Sequence, residues 1–222
     1  MIESYFTNVN AERLLTAAYE TMVLTLVSLA ATFVLGLLLG TALFLTEKGN
    51  VWENKGVNMA LSAFVNVFRS IPFIILVILL IPFTKVIVGS ILGVKAALPA
   101  LIIGAAPFYA RLVQIAMREV DKGVIEAAKA MGARTRTIIL KVLIPESLPA
   151  LLSGITVTAV LLVGFSAMAG VIGAGGLGTL AYMEGFQRSH NDVTVAATGL
   201  ILVFVFILQF IGDYFASKAD KR

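Results

Sequence analysis

The stretch Asp121-Lys122-Gly123-Val124-Ile125-Glu126-Ala127-Ala128-Lys129-Ala130-Met131-Gly132-Ala133-Arg134, continued through Ile144-Pro145-Glu146-Ser147-Leu148-Pro149, interrupts a chain otherwise dominated by long apolar runs. It is charged, mostly helix-forming in composition, and bounded by Gly123 and Pro145. It is too long for a simple turn and too polar for hydrocarbon, where each polar group must find a partner. Val124, Ala127, Ala128 and Met131 recur at three- and four-residue spacing, which predicts a helix of about two turns with one apolar face. Lys122, Lys129, Arg134 and Arg136 would keep the rest in water or meet an acidic partner. Gly132 suits the helix end. Pro145 and Pro149 suit the opening turn of the apolar segment that follows. A short exposed amphipathic helix of this kind needs lipid headgroups or another protein to cover it.

Working outward, the 222 residues are 59% hydrophobic and only 14% charged, with a mean hydropathy of +0.97. Soluble domains carry about a quarter of their residues as charges, so the composition is that of an integral membrane protein. A helix needs about 20 mostly apolar residues to cross the hydrocarbon. Five stretches qualify: Thr21 to Leu45, Met59 to Phe83, Ala96 to Ala110 with a possible extension to Met117, Leu148 to Ile172, and Val193 to Tyr214. The expected fold is therefore all-α, with five transmembrane helices and the polar helix between the third and fourth. Residues 1–16 are expected outside the membrane domain, 17–212 within it, and 213–222 as a tail.

Orientation follows from Lys and Arg. The segments at 46–58 and 111–147 and the C-terminal tail hold twelve of the seventeen: Lys48, Lys55, Arg111, Arg118, Lys122, Lys129, Arg134, Arg136, Lys141, Lys218, Lys221 and Arg222. The opposite segments hold Arg13, Lys85, Lys95 and Arg188, and Arg69 lies inside a span. Positive residues stay cytoplasmic, which predicts the N-terminus outside, the C-terminus inside, and the polar helix in the cytoplasm. The net charge of +4 thus reports topology, not nucleic-acid binding. Tyr19, Trp52, Tyr182 and Tyr214 lie near expected span ends, where interfacial aromatics gather. The first twenty residues lack the basic start of a signal peptide. Without cysteine there is neither a disulfide framework nor a thiolate metal site.

Catalytic chemistry finds little support. Gly173-Ala174-Gly175-Gly176-Leu177-Gly178 satisfies G-x-G-x-x-G, but no strand precedes it and no acidic residue follows in a βαβ unit, so it reads as a tight turn ending the fourth span. No phosphate loop is present, and His190 stands without a partner histidine. Arg69 is the one ionisable residue well inside a span; at depth it needs a polar cavity or a partner, and near the boundary it would snorkel to the interface. No chain of Asp, Glu and His crosses the bilayer, so a transporter built this way draws its energy from another subunit. Ser70, Phe73, Phe165, Ser166 and Met168 join Arg69 as candidate pathway residues from polarity and position; core packing is the alternative for Met168 and Phe165, in a span rich in small residues.

The residues also carry a resemblance. Glu126-Ala127-Ala128, three residues, Gly132, nine residues and Val142-Leu143-Ile144-Pro145 resemble the EAA loop of ABC importer permeases, E-A-A-x3-G-x9-I-x-L-P, with Val142 and Ile144 as conservative replacements. Phe68-Arg69-Ser70-Ile71-Pro72-Phe73, Gly104-Ala105-Ala106-Pro107-Phe108 and the glycine-rich block are similar to the permease subunits of methionine ABC importers, within the binding-protein-dependent transport system inner membrane component family. This implies a multi-pass protein of the bacterial cytoplasmic membrane that works as a homodimer and imports methionine, the L- and D-forms included. Each copy would engage one cytoplasmic ATPase through Glu126, Ala127, Ala128, Met131, Gly132 and Pro145, with ATP and Mg on that ATPase and no cofactor here. An extracytoplasmic binding protein would deliver the ligand. A permease for another small amino acid, an osmolyte or a phosphonate is the neighbouring alternative. A multispan membrane enzyme lacks titratable clusters, and a passive channel leaves the docking helix unexplained.

Overall fold

The computed structural model describes residues 7–220, all of whose regular elements are helical. The first, α1 (Ala11–Leu45), is capped by Asn10, whose side chain accepts the Arg13 amide at 3.0 Å. It begins well before the apolar run at Thr21, so the expected boundary at residue 17 falls inside a continuous helix. At 1.5 Å per residue it reaches about 52 Å and overshoots the hydrocarbon.

The second apolar run is not one helix, which corrects the expectation of a single transmembrane helix from Met59 to Phe83. It forms α2 (Lys55–Ser70) and α3 (Phe73–Val88), bent by 108° at the break. The cause is Pro72. A residue before proline is pushed out of the helical region, and Ile71 adopts φ −76°, ψ 123°. Proline also has no N–H to continue the ladder. The pair still carries the chain across the molecule. Asn58 in α2 donates to the Leu43 carbonyl at 2.8 Å beside the end of α1, whereas the turn after α3 donates from the Gly93 amide to Gly173 at 2.9 Å.

The third run is the single helix α4 (Val94–Arg118), which contains Pro99 and Pro107. Beyond it lie α5 (Lys122–Ala130), α6 (Thr135–Ile138), a π-helical turn over Ile139–Leu143, and α7 (Ile144–Val171). From Thr135 to Val171 the helix is continuous. Pro145 therefore does not restart the chain. The π turn widens the helix just ahead of it, with the Ile144 amide reaching back to the Ile139 carbonyl, and the widening accommodates a ring that would otherwise meet the preceding turn. A short α8 (Gly176–Thr179), a second π segment (Leu180–Phe186) and α9 (Asn191–Ala219) complete the chain. Four helices among the described residues are long and apolar enough to cross a membrane by themselves, and counting the bent pair as one broken span brings the number to five.

The centre is a three-helix contact of α1, α4 and α7, with α9 against α7, and α2 and α3 against α4. Its middle is Tyr109, fully buried, whose hydroxyl donates to the Leu151 carbonyl at 3.3 Å. Gly36 makes room for the ring. A Cβ on Gly36 would lie 2.7 Å from the Tyr109 ring, and one on Gly154 3.6 Å from its other edge. Gly40, one turn beyond Gly36, packs still closer to the α4 backbone. Small residues at four-residue spacing allow such approach where lipid offers no hydrophobic drive between helices.

A polar knot ties the ends of α1 and α4. Arg118 donates to both oxygens of Glu47, the Nη2 bond being 2.6 Å, and Gln114, 1% exposed, donates to the same carboxylate. Arg111 in turn donates to Gln114 at 2.5 Å and to Asn66 of α2 at 2.7 Å. Glu47→Ala removes the acceptor that these donors share and leaves the Gln114 amide buried without it. A loss of about 1–3 kcal/mol is expected, read as a lower thermal midpoint of the purified protein. An unchanged midpoint would show that water replaces the carboxylate.

Candidate functional site

The two ends of the bundle differ in charge. At one end Glu47 meets Arg118, and Asp220 shares a cleft with Glu119, Glu146 and Ser147. The segments 46–58 and 111–147 and the end of α9 therefore gather together, and they are the ones rich in Lys and Arg. At the other end Asn8 donates to Asp192, Arg13 pairs with Glu184 at 2.5 Å, and Gly93 meets Gly173.

At the basic end stands α5. Asp121 caps it, accepting the Gly123 amide at 2.6 Å. Gly132 closes it in the left-handed region at φ +75°. The Ala133 amide reaches the Ala128 carbonyl at 3.0 Å and the Gly132 amide reaches Lys129 at 2.9 Å, a paired cap that orders the end. The helix has two apolar sides where the spacing suggested one. Ile125 and Ala128 are buried against the core formed by Val120, Ile138 and Leu143. Val124, Glu126, Ala127 and Met131 face outward, Met131 being 81% exposed. Ala128 thus anchors the helix to its own chain and does not join the outward face. The helical period allowed either assignment; the seat was decided by tertiary neighbours, above all by Ile125. Pro145 is exposed within the Thr135–Val171 helix.

Near the bend between α2 and α3 a cavity of about 270 Å³ opens, lined by Phe68, Arg69, Phe73, Gly104, Phe108 and Phe165 among others. Arg69, in the last turn of α2, holds its guanidinium carbon 5.9 Å from the centre of the Phe108 ring. Phe73 and Phe165 stack at 4.1 Å with planes 7° apart. These three candidate pathway residues are brought together. The other three are not. Ser70 is exposed at the bend and donates to the Asn66 carbonyl at 2.8 Å. Ser166 is buried, donating to Val163 at 2.8 Å. Met168 is half exposed on α7 and does not line this cavity.

The glycine-rich block adopts a structure that explains its sequence. Gly173, Gly175 and Gly176 all have φ near +80° to +90°. The loop lies so close to α7 that a Cβ on Gly178 would sit 2.5 Å from Ala167. Its free amides are taken by α1: Gly176 donates to the Glu20 carboxylate at 2.6 Å and Leu177 to the Thr21 hydroxyl at 2.8 Å. The pattern holds a carboxylate of its own chain in place of a pyrophosphate. Glu20→Ala is expected to cost about 1–3 kcal/mol by leaving the Gly176 amide without that acceptor, measured as a lower unfolding midpoint; no change would mean the loop holds itself. Sequence reading missed Glu20 because its partner lies 156 positions away. His190 sits ahead of α9 without capping it, and no group of three His, Asp or Glu suited to a metal occurs among the described residues.

Residues 32–221 match the family described as binding-protein-dependent transport system inner membrane component. The chain belongs to that family. It is 64% identical to the methionine import system permease protein of Bacillus subtilis (strain 168), over the whole of both chains. It is 45% identical to a probable D-methionine transport system permease protein of Vibrio cholerae, over 96% of this chain and 95% of that one. Among solved structures, an inward-facing methionine ABC transporter superposes with a TM-score of 0.93 at 43% identity, covering 95% of this chain and 98% of that one. An amino acid ABC transporter crystallised with histidines, at 19% identity and a TM-score of 0.75, shares the fold. A member of this family is a transport subunit and not an enzyme.

Proposed function

We propose that the chain is the membrane-spanning permease of an ATP-driven importer that carries methionine into the cytoplasm, and that two copies act together, each docked on one cytoplasmic ATPase through α5. The observation that carries the coupling is the two-sided character of α5. Ile125 and Ala128 fix it to the bundle, and Val124, Glu126, Ala127 and Met131 remain exposed. Gly132 holds the end in one conformation and leaves open space where a side chain would be, so a partner can approach its backbone closely. Pro145, with the π turn before it, lies where force on α5 enters α7.

The basic end is cytoplasmic on this reading, which places the N-terminus and the Glu20–glycine clamp outside and the end of α9 inside. The membrane domain spans 17–212 in this scheme. Methionine as cargo is supported by identity along the whole chain with a permease named for methionine import, and by the close superposition on a methionine transporter. An extracytoplasmic binding protein, anchoring lipid and Mg-ATP on the partner complete the machine. The pathway face runs by Arg69, Ser70, Phe73, Phe165 and Met168, with Ser166 behind it.

The test is uptake in proteoliposomes containing this chain, its ATPase and its binding protein. ATP-dependent accumulation of L-methionine is expected, with D-methionine as the second arm. Accumulation of an osmolyte or phosphonate with no methionine would replace the cargo, and ATP-independent flux would indicate a channel.

A further inference from the structure

Three guanidinium groups stand near the junction of α2 and α4, and they differ in what holds them. Arg118 is bound to Glu47, and Arg111 is held between Gln114 and Asn66. Arg69 makes no hydrogen bond or ion pair with any described residue; its one close partner is the Phe108 ring. It is also the single charged group lining the 270 Å³ cavity, whose remaining walls are aromatic, aliphatic and glycine. A cation without a counter-charge beside an apolar hollow favours an anion with an apolar body.

The walls specify the rest of that shape. The Phe73–Phe165 stack forms a flat aromatic side, the kind of surface on which a thioether gains from sulfur–ring contact. At Gly104 a Cβ would come within 3.2 Å of Leu76 and 3.3 Å of Phe73, so glycine there keeps the hollow open.

We infer that this cavity is a transit site inside the membrane domain, in which Arg69 receives the α-carboxylate of the travelling amino acid and the Phe73–Phe165 stack receives its apolar side chain. The inference rests on the importer reading above and adds where the cargo pauses. The carboxylate would be held by a charge-assisted pair. Polar amino acids of similar size would lose the aromatic wall, so the cavity adds a selection of its own to that of the binding protein.

The natural chain has no cysteine, so one introduced thiol reports on the cavity alone. Leu161→Cys places it in the wall, and Ile71→Cys serves from the α2–α3 bend if the first variant does not accumulate. In the intact complex with its ATPase, without binding protein, the rate of modification by a small uncharged thiol reagent is followed on this chain. Methionine at ten times its dissociation constant leaves about a tenth of the sites empty, so labelling is expected to slow about tenfold. Methioninol, which lacks the carboxylate, is expected to give no protection, as is acetate. Arg69→Gln abolishes the protection and Arg69→Lys restores part of it. Equal protection by methioninol, protection that survives Arg69→Gln, or protection by acetate would overturn the assignment. A complex that imports methionine with the thiol unprotected rejects this site and leaves the importer reading intact; a complex that imports no methionine rejects that reading itself.

Discussion

Gly40→Leu is expected to leave almost none of the chain folded in the membrane. A Cβ at this position would lie 2.4 Å from the Ala110 carbonyl oxygen and 2.6 Å from the Val113 Cβ. The first of these is backbone and cannot rotate away. Relief requires α1 and α4 to separate, and that contact also seats Tyr109, Gly36 and the Glu47 knot. Overpacking in an adaptable core costs about 1–3 kcal/mol. Here the clash falls on a rigid helix pair, so the loss approaches the whole stability of a domain, about 5–15 kcal/mol. Gly199→Ala is the matched control, because nothing lies within 4 Å of its Cβ. Immunoblotting of membranes and size-exclusion of the solubilised chain decide the matter. Wild-type amounts of monodisperse Gly40→Leu would refute the α1–α4 packing.

The second large effect falls on transport with the fold preserved. Glu126→Arg reverses the charge at the centre of the outward face of α5, and Gly132→Val forces a β-branched residue into φ +75°. The left-handed conformation costs an ordinary residue about 1–2 kcal/mol, enough to unwind the paired cap and displace Met131. Neither position is buried in the bundle, so helix content and the amount of protein in the membrane should stay at wild-type levels. ATP-driven uptake should fall to background in both. Glu126→Gln separates shape from charge and should retain part of the activity. Full uptake by Glu126→Arg would remove α5 from the coupling role.

Much of this was legible in the sequence, for identifiable reasons. Apolar length alone located α1, α4, α7 and α9, because hydrocarbon thickness is a constraint on each helix by itself. The polar break at 121–149 announced a short polar helix between the third and fourth apolar runs, and Glu126, Ala127, Ala128 and Gly132 carried the resemblance to importer permeases. The bend at Pro72 had a signal in Ile71-Pro72, a residue forced from the helical region, but apolar content masked it within an uninterrupted run. The continuity of α6 through α7 was hidden because a π turn beside Pro145 leaves no compositional trace. The inward seat of Ala128, the Glu20 clamp and the Glu47–Arg118–Gln114 knot depend on partners far along the chain, which periodicity does not reach. Arg69 was conspicuous as an arginine in a span; that it lacks an acceptor where Arg111 and Arg118 have theirs could be read only in three dimensions.

The claim on which the rest depends is that α5 is the surface that receives the ATPase. Because the chain contains no cysteine, Met131→Cys offers a single thiol on the outward face of that helix. With the complex in membranes, a short crosslinker reactive to thiol at one end and amine at the other should join this chain to the ATPase subunit. Arg188→Cys, at the opposite end of the bundle, should give no such product. An adduct from Arg188→Cys, or none from Met131→Cys in a complex that still imports methionine, would contradict the account.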